Sequence, residues 1–309
     1  MTVGERLYQS GMLYKLTSGE DIKPLLKKGA RVNQILMDGL NSTPLHVAVD
    51  CNHTQAVKNL IAYGADLNAP SKGGYTPLMK AMKNGQFEIV DLLVNAGAYL
   101  NSKDDKDRTP LWWASYYGQA RLIPYLVQKG ANVNVKDSEH GLTPLMVATK
   151  YANVKTVEAI LSADADVDAI SFYGHTALHY AIMARDKSDG IKKAKLLIQK
   201  GVDIHQSQIG VLNTFVPSPL VLAVTERYLP MVELLLNAGA DGVQEAFLHA
   251  QKRDYKEIMS LLLPKLQKQK NIAVIDLKVV KEEPVFIADN TCSYVPYTIK
   301  NNKRVRQKM

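Results

Sequence analysis

A four-residue signature returns along this chain at an almost constant interval, and that period constrains the fold more than any other feature. Thr43-Pro44-Leu45-His46 is followed by Thr76-Pro77-Leu78-Met79, Thr109-Pro110-Leu111-Trp112, Thr143-Pro144-Leu145-Met146, Thr176-Ala177-Leu178-His179 and Ser218-Pro219-Leu220-Val221, with starts 33, 33, 34, 33 and 42 residues apart. A second marker runs in register with the first: an apolar stretch such as Leu60-Ile61 or Leu92-Leu93-Val94, then a glycine at Gly64, Gly97, Gly130, Gly201 or Gly239. A unit of this length cannot bury its own apolar face. The period therefore implies an array of small units that share one core by stacking.

Each unit can be read from its residues. Thr is a good helix N-cap because its hydroxyl accepts a bond from a free amide of the first turn, and Pro at the first helical position wastes no donor. Thr-Pro thus starts a short helix, whose Leu and Ala, three residues apart in Leu45/Ala48 and Leu111/Ala114, fall on one face. A polar turn such as Lys83-Asn84-Gly85 ends it. A second helix follows with apolar residues at helical spacing, as in Phe87, Val90 and Leu93, and stops at a glycine able to turn left-handed. The segment from Asp66 to Gly74 is a turn-rich excursion back to the next Thr-Pro.

With this signature and period the chain resembles the ankyrin-repeat family. The resemblance implies an all-α repeat solenoid of helix pairs with β-hairpin tips, about eight pairs including degenerate caps. On that reading residues 1–37 form a degenerate N-terminal capping repeat, 38–242 six ankyrin repeats, 243–266 a C-terminal capping helix pair, and 267–309 a basic, flexible tail. Three places depart from the pattern: Asp164 stands where a unit should end in Gly, the turn Arg185 to Ile191 is about four residues too long, and Gln206 to Pro217 lengthens one tip. These read as weak joints or partner-specific loops.

In proteins of this kind partners lie across the hairpin tips and the exposed side of the first helices. The corresponding positions here are Tyr75, Lys83 and Asn84, then Arg108, Trp113, Tyr116 and Tyr117, then Tyr151, and finally Phe172 and Tyr173. Aromatics and Arg dominate interface energies because they bury large areas with few rotors. Their clustering points to the concave face of units three to six as a protein-binding surface. Trp112 takes the place of the signature His and is read as structural, and Tyr180 as partly core.

No residues assemble a standard catalytic or ligand pattern, so no cofactor, no metal and no enzyme activity is expected. His46 and His179 sit in the signature position, where the family uses the imidazole to brace neighbouring loops. The other histidines lack the i, i+4 spacing of a zinc helix. Lys72-Gly73-Gly74 reads as a hairpin turn, and Asp104-Asp105-Lys106-Asp107 as a solvated tip without calcium-loop spacing. Cys51 and Cys292 lie far apart and read as free thiols of a reducing compartment.

The formal charge of +8 is unevenly placed: residues 265–309 hold ten Lys and Arg against four Asp and Glu, so the body is close to neutral. Within the tail, Val274-Ile275-Asp276-Leu277 resembles a SUMO-interacting motif and Val280-Lys281-Glu282-Glu283 a SUMO acceptor, both short patterns that recur by chance. Lys300 to Lys308 reads first as a solubilising terminus, then as a nuclear import signal or a nonspecific phosphate contact. No apolar run approaches the roughly 18 residues a membrane helix needs, and Met1 to Ser10 lacks a signal-peptide pattern.

The reading is a non-catalytic scaffold or adaptor, monomeric and intracellular, that binds a protein partner. It would be cytoplasmic, or nuclear if the tail acts as an import signal. Two alternatives stand beside it: an effector of an intracellular bacterium that captures a host protein in the host cytosol, and a nucleic-acid-associated or nuclear factor acting through the basic tail. Nucleic acid is the less favoured partner.

Overall fold

In the computed structural model of the chain, residues 24, 27, 30–36, 39–205, 208–209 and 215–270 are described. Most of the 1–37 unit, the centre of the Gln206 to Pro217 extension, Cys292 and the tail motifs beyond Lys270 lie outside the described residues. Among the described residues the helices come in seven pairs. They are α1 (Pro44–Asp50) and α2 (Thr54–Ala62), α3 (Pro77–Asn84) and α4 (Phe87–Asn95), α5 (Pro110–Tyr116) and α6 (Leu122–Gln128), α7 (Pro144–Tyr151) and α8 (Val154–Leu161). The series continues with α9 (Ala177–Ile182) and α10 (Lys187–Gln199), α11 (Pro219–Thr225) and α12 (Leu229–Asn237), α13 (Val243–Lys252) and α14 (Lys256–Lys270).

The signature does locally what its chemistry dictates. Thr76, Thr109 and Thr143 Oγ1 accept from the amides of Met79, Trp112 and Met146 at 3.3, 3.3 and 3.4 Å. The signature leucines and the alanines three residues later, from Leu45 and Ala48 to Leu220 and Ala223, are fully buried in all six first helices. The methyl-sized alanines let successive first helices pack on one another, and each first helix touches the next along the whole array. The result is a helical repeat solenoid.

Two hydrogen-bonded ladders hold the units in register. On one, each tip donates to the tip before it: Lys72 N to Leu40 O (2.6 Å), Asp105 N to Gly73 O (3.1 Å), Ser138 N to Lys106 O (3.0 Å) and Phe172 N to His140 O (2.9 Å). On the other, an Asx side chain just past each second helix accepts from the next unit, as Asn68 does from Tyr99 N and Asn101 from Asn132 N, both at 2.8 Å. Most tips are turns rather than strand pairs. Among the described residues the only strand pair is β1 (Gln208–Ile209) with β2 (Phe215–Val216), in the lengthened tip.

The three departures resolve differently. Asp164 does adopt the left-handed conformation of the glycine it replaces, with φ at 55°. The four additional residues near Arg185 do not form a long turn. They extend α10 to 13 residues against 7 to 9 for the other second helices from α2 to α12, because Asp186 caps it by accepting from Ser188 N and Asp189 N at 2.9 and 3.2 Å. The added turn also makes a joint: Lys193 is buried, donates to the Thr149 and Ala152 carbonyls at 3.0 and 2.6 Å, and pairs with Asp189 at 2.6 Å. It satisfies carbonyls at the end of α7 that no helical amide reaches.

Candidate functional site

The signature histidines are braces. His46 Nδ1 accepts from Thr43 N at 3.1 Å, which leaves Nε2 to donate to Tyr75 O at 2.9 Å in the next tip. His179 repeats this with Thr176 N and Pro217 O at 3.2 Å each, and burial, with His175 beside it, pushes its pKa down to about 4. Tyr125 is pushed up to about 12 by burial and by its 2.7 Å bond to Asp91, a clasp between α4 and α6. Both shifts belong to the scaffold. Among the described residues no group of three or more His, Cys, Asp or Glu side chains could hold a metal ion, and no helix is long and apolar enough to cross a membrane.

The first-helix face of units three to six carries a continuous run of rings. Tyr75 lies 5.2 Å from Trp113 between centroids, Trp113 lies 6.0 Å from Tyr116 and 5.9 Å from Tyr117, and Tyr116 lies 4.9 Å from Tyr151. Three cations sit over it: Arg108 at 4.3 Å from the Trp113 ring, Lys83 at 5.6 Å from Tyr117, and Lys150 at 5.0 Å from Tyr151 and 5.2 Å from Tyr180. Six of the ten positions singled out from the sequence, Tyr75, Lys83, Arg108, Tyr116, Tyr117 and Tyr151, thus form one stripe around Trp113. Asn84 is exposed at the end of α3. Phe172 and Tyr173 belong to the neighbouring tip, where Phe172 packs over Gly141 and Tyr173 lies 5.9 Å from His140.

Trp113 is not a surface anchor: it keeps 6% of its accessible surface, and its indole N–H donates to Asp104 Oδ2 at 3.0 Å. Nor is the Asp104 run a solvated tip throughout. The Asp104 side chain is wholly buried, with Oδ2 also accepting from Arg108 Nε at 2.8 Å and Oδ1 from the amides of Lys106 and Arg108 at 2.9 and 3.0 Å. Four donors, one of them cationic, offset the cost of burying a carboxylate. Arg108 sits over the Trp113 ring and reaches 3.5 Å from Tyr75 Oη. Asp104 and Trp113 therefore fix the floor of the stripe, and Tyr117 and Tyr151, 40% and 48% exposed, form its outer surface.

The signal for Asp104 lies in the alignment of the units. Ser71, Asp104, Asp137 and Ser171 stand five or six residues before their signature threonine, and all four are buried turn-formers. Asp137 accepts from the amides of Glu139, His140 and Leu142 at 3.0, 2.7 and 2.9 Å.

A family model described as ankyrin repeats (3 copies) matches residues 13–104, 71–137 and 111–208, together covering 13–208. No curated protein matches the chain.

Proposed function

The chain belongs to the ankyrin-repeat family, whose repeats are generally protein-interaction modules, and we propose that it is a non-catalytic scaffold binding a protein partner on the first-helix face of units three to six. The observation that carries this is the exposure of Tyr117 and Tyr151 at the end of adjacent first helices whose other faces are fully committed to the core. Tyrosines with half their surface open and their backs fixed by packed rings are pre-organised contacts, which lose little rotamer freedom on binding.

The test is retention of partners from cell lysate by the tagged chain, by a Tyr117→Ala/Tyr151→Ala variant and by Tyr63→Ala, an equally exposed tyrosine at the end of second helix α2. Loss of two central aromatic anchors should weaken binding on the order of a hundredfold or more. A protein retained by the intact chain and by Tyr63→Ala, and lost by the double variant, is the expected result. Equal retention by all three would refute the assignment of the face.

A further inference from the structure

We infer that the stripe recognises an acidic segment of its partner: two carboxylates about six residues apart, or closer, with an apolar side chain between them. This rests on the proposed binding role of the same face and names the chemistry it selects. The first helices α1, α3, α5, α7, α9 and α11 carry four charged residues, Asp50, Lys80, Lys83 and Lys150. Asp50 and Lys80 neutralise each other at 2.5 Å. Lys83 and Lys150 are exposed and have no ion-pair partner among the described residues; each lies over a tyrosine ring instead.

The two cations close the ends of one row: Lys83 over Tyr117, Tyr117 against Tyr116 at 5.0 Å, Tyr116 against Tyr151 at 4.9 Å, and Lys150 over Tyr151. Its path is at most about 20 Å, which about six residues of extended chain cover at roughly 3.3 Å each. An ammonium over a ring still has N–H donors to offer, and the ring surfaces between the two ends suit an apolar side chain. The row is thus complementary to acid, apolar, acid.

A nucleic acid fits less well. The cations are two points rather than a track along a phosphate backbone, and Tyr116 already spends its face stacking on Trp112 at 5.5 Å.

The experiment is selection of a phage-displayed random 12-residue peptide library on the full chain, with the enriched peptides then measured by fluorescence anisotropy. Expected are sequences with two Asp or Glu within about six positions around an apolar residue. Affinity should fall about fivefold for each of Lys83→Glu and Lys150→Glu, and selection on the double variant, shown folded by circular dichroism, should enrich Lys and Arg instead. Peptides that are neutral or basic yet lost by Tyr117→Ala/Tyr151→Ala would overturn the acidic specificity and leave the binding face standing. Indifference to both lysine changes, no enrichment at all, or displacement of the peptides by a 20-residue oligothymidylate would also overturn it. Peptides that bind the tyrosine variant as well as the intact chain would sink the binding face together with the specificity.

Discussion

Replacing Asp104 by Ala should destabilise unit four more than any exposed charge change could. The side chain takes four hydrogen bonds: from Trp113 Nε1, Arg108 Nε and the amides of Lys106 and Arg108. Breaking a buried ion pair by removing one partner costs about 3–5 kcal/mol, and a stranded buried donor about 1–3 kcal/mol. Arg108 retains some access to water, which places its share at the low end. The expected loss is about 3–4 kcal/mol. For a folded body of this size each kcal/mol moves the midpoint by roughly 2–4 °C, so Tm should fall by about 10 °C. Asp104→Ser, which installs the residue that Ser71 and Ser171 use at the same place, should lose about half as much. Both tryptophans of the chain lie in α5, so their fluorescence reports on this unit while circular dichroism at 222 nm reports on the whole array. In the Ala variant the tryptophan emission should shift to longer wavelength and its transition should precede the helical one. A variant that melts within about 1 °C of the parent with unchanged emission would refute the assignment of Asp104 as the anchor of the stripe.

The other joints give predictions of their own. Lys193→Met keeps the bulk of the side chain but strands the Thr149 and Ala152 carbonyls and Asp189, and should cost about 2–3 kcal/mol in urea unfolding; a loss below about 0.5 kcal/mol would mean the carbonyls find water. Asp164→Gly should stabilise by up to about 1 kcal/mol, since the backbone there is already left-handed; destabilisation would show that the Asp side chain offsets its strain. The folded pKa of His179 lies below the unfolded value, so the unfolded chain binds the extra proton first. Stability should accordingly be lost as pH falls from about 6.5 to about 4, by about 3 kcal/mol in all, and His179→Gln should flatten that part of the profile. An unchanged slope in the variant would assign the acid sensitivity to other groups.

The array was legible in the sequence because every unit must solve the same packing problem with the same residues: a capped first turn, a buried Leu, a buried Ala and a left-handed stop. The site was legible only in outline. Position within the unit placed Tyr116, Tyr117, Tyr151 and Lys83 on one face, but could not tell which ring had a buried partner. The position of Trp113 in a first helix suggests a ring on the partner-facing side; its indole instead turns inward, where a carboxylate nine residues earlier accepts its N–H. Asp104 was hidden within a run of charges, since Asp105 and Lys106 beside it are exposed and only the comparison with Ser71 and Ser171 marks it as different. At Arg185 the added residues suggested a loop, although Asp186 with Ser188 and Asp189 behind it has the chemistry of an N-cap, and capping makes the extension a helical turn.

The most direct test of the binding face is photo-crosslinking with benzoylphenylalanine placed singly at Tyr117, Tyr151 and Tyr63 of the full chain, in lysate, with adducts identified by mass spectrometry. If Tyr117 and Tyr151 join units four and five to one partner, both positions should yield the same crosslinked protein and Tyr63 should not. Adducts formed equally from Tyr63, or different proteins from Tyr117 and Tyr151, would contradict a single partner seated on the stripe.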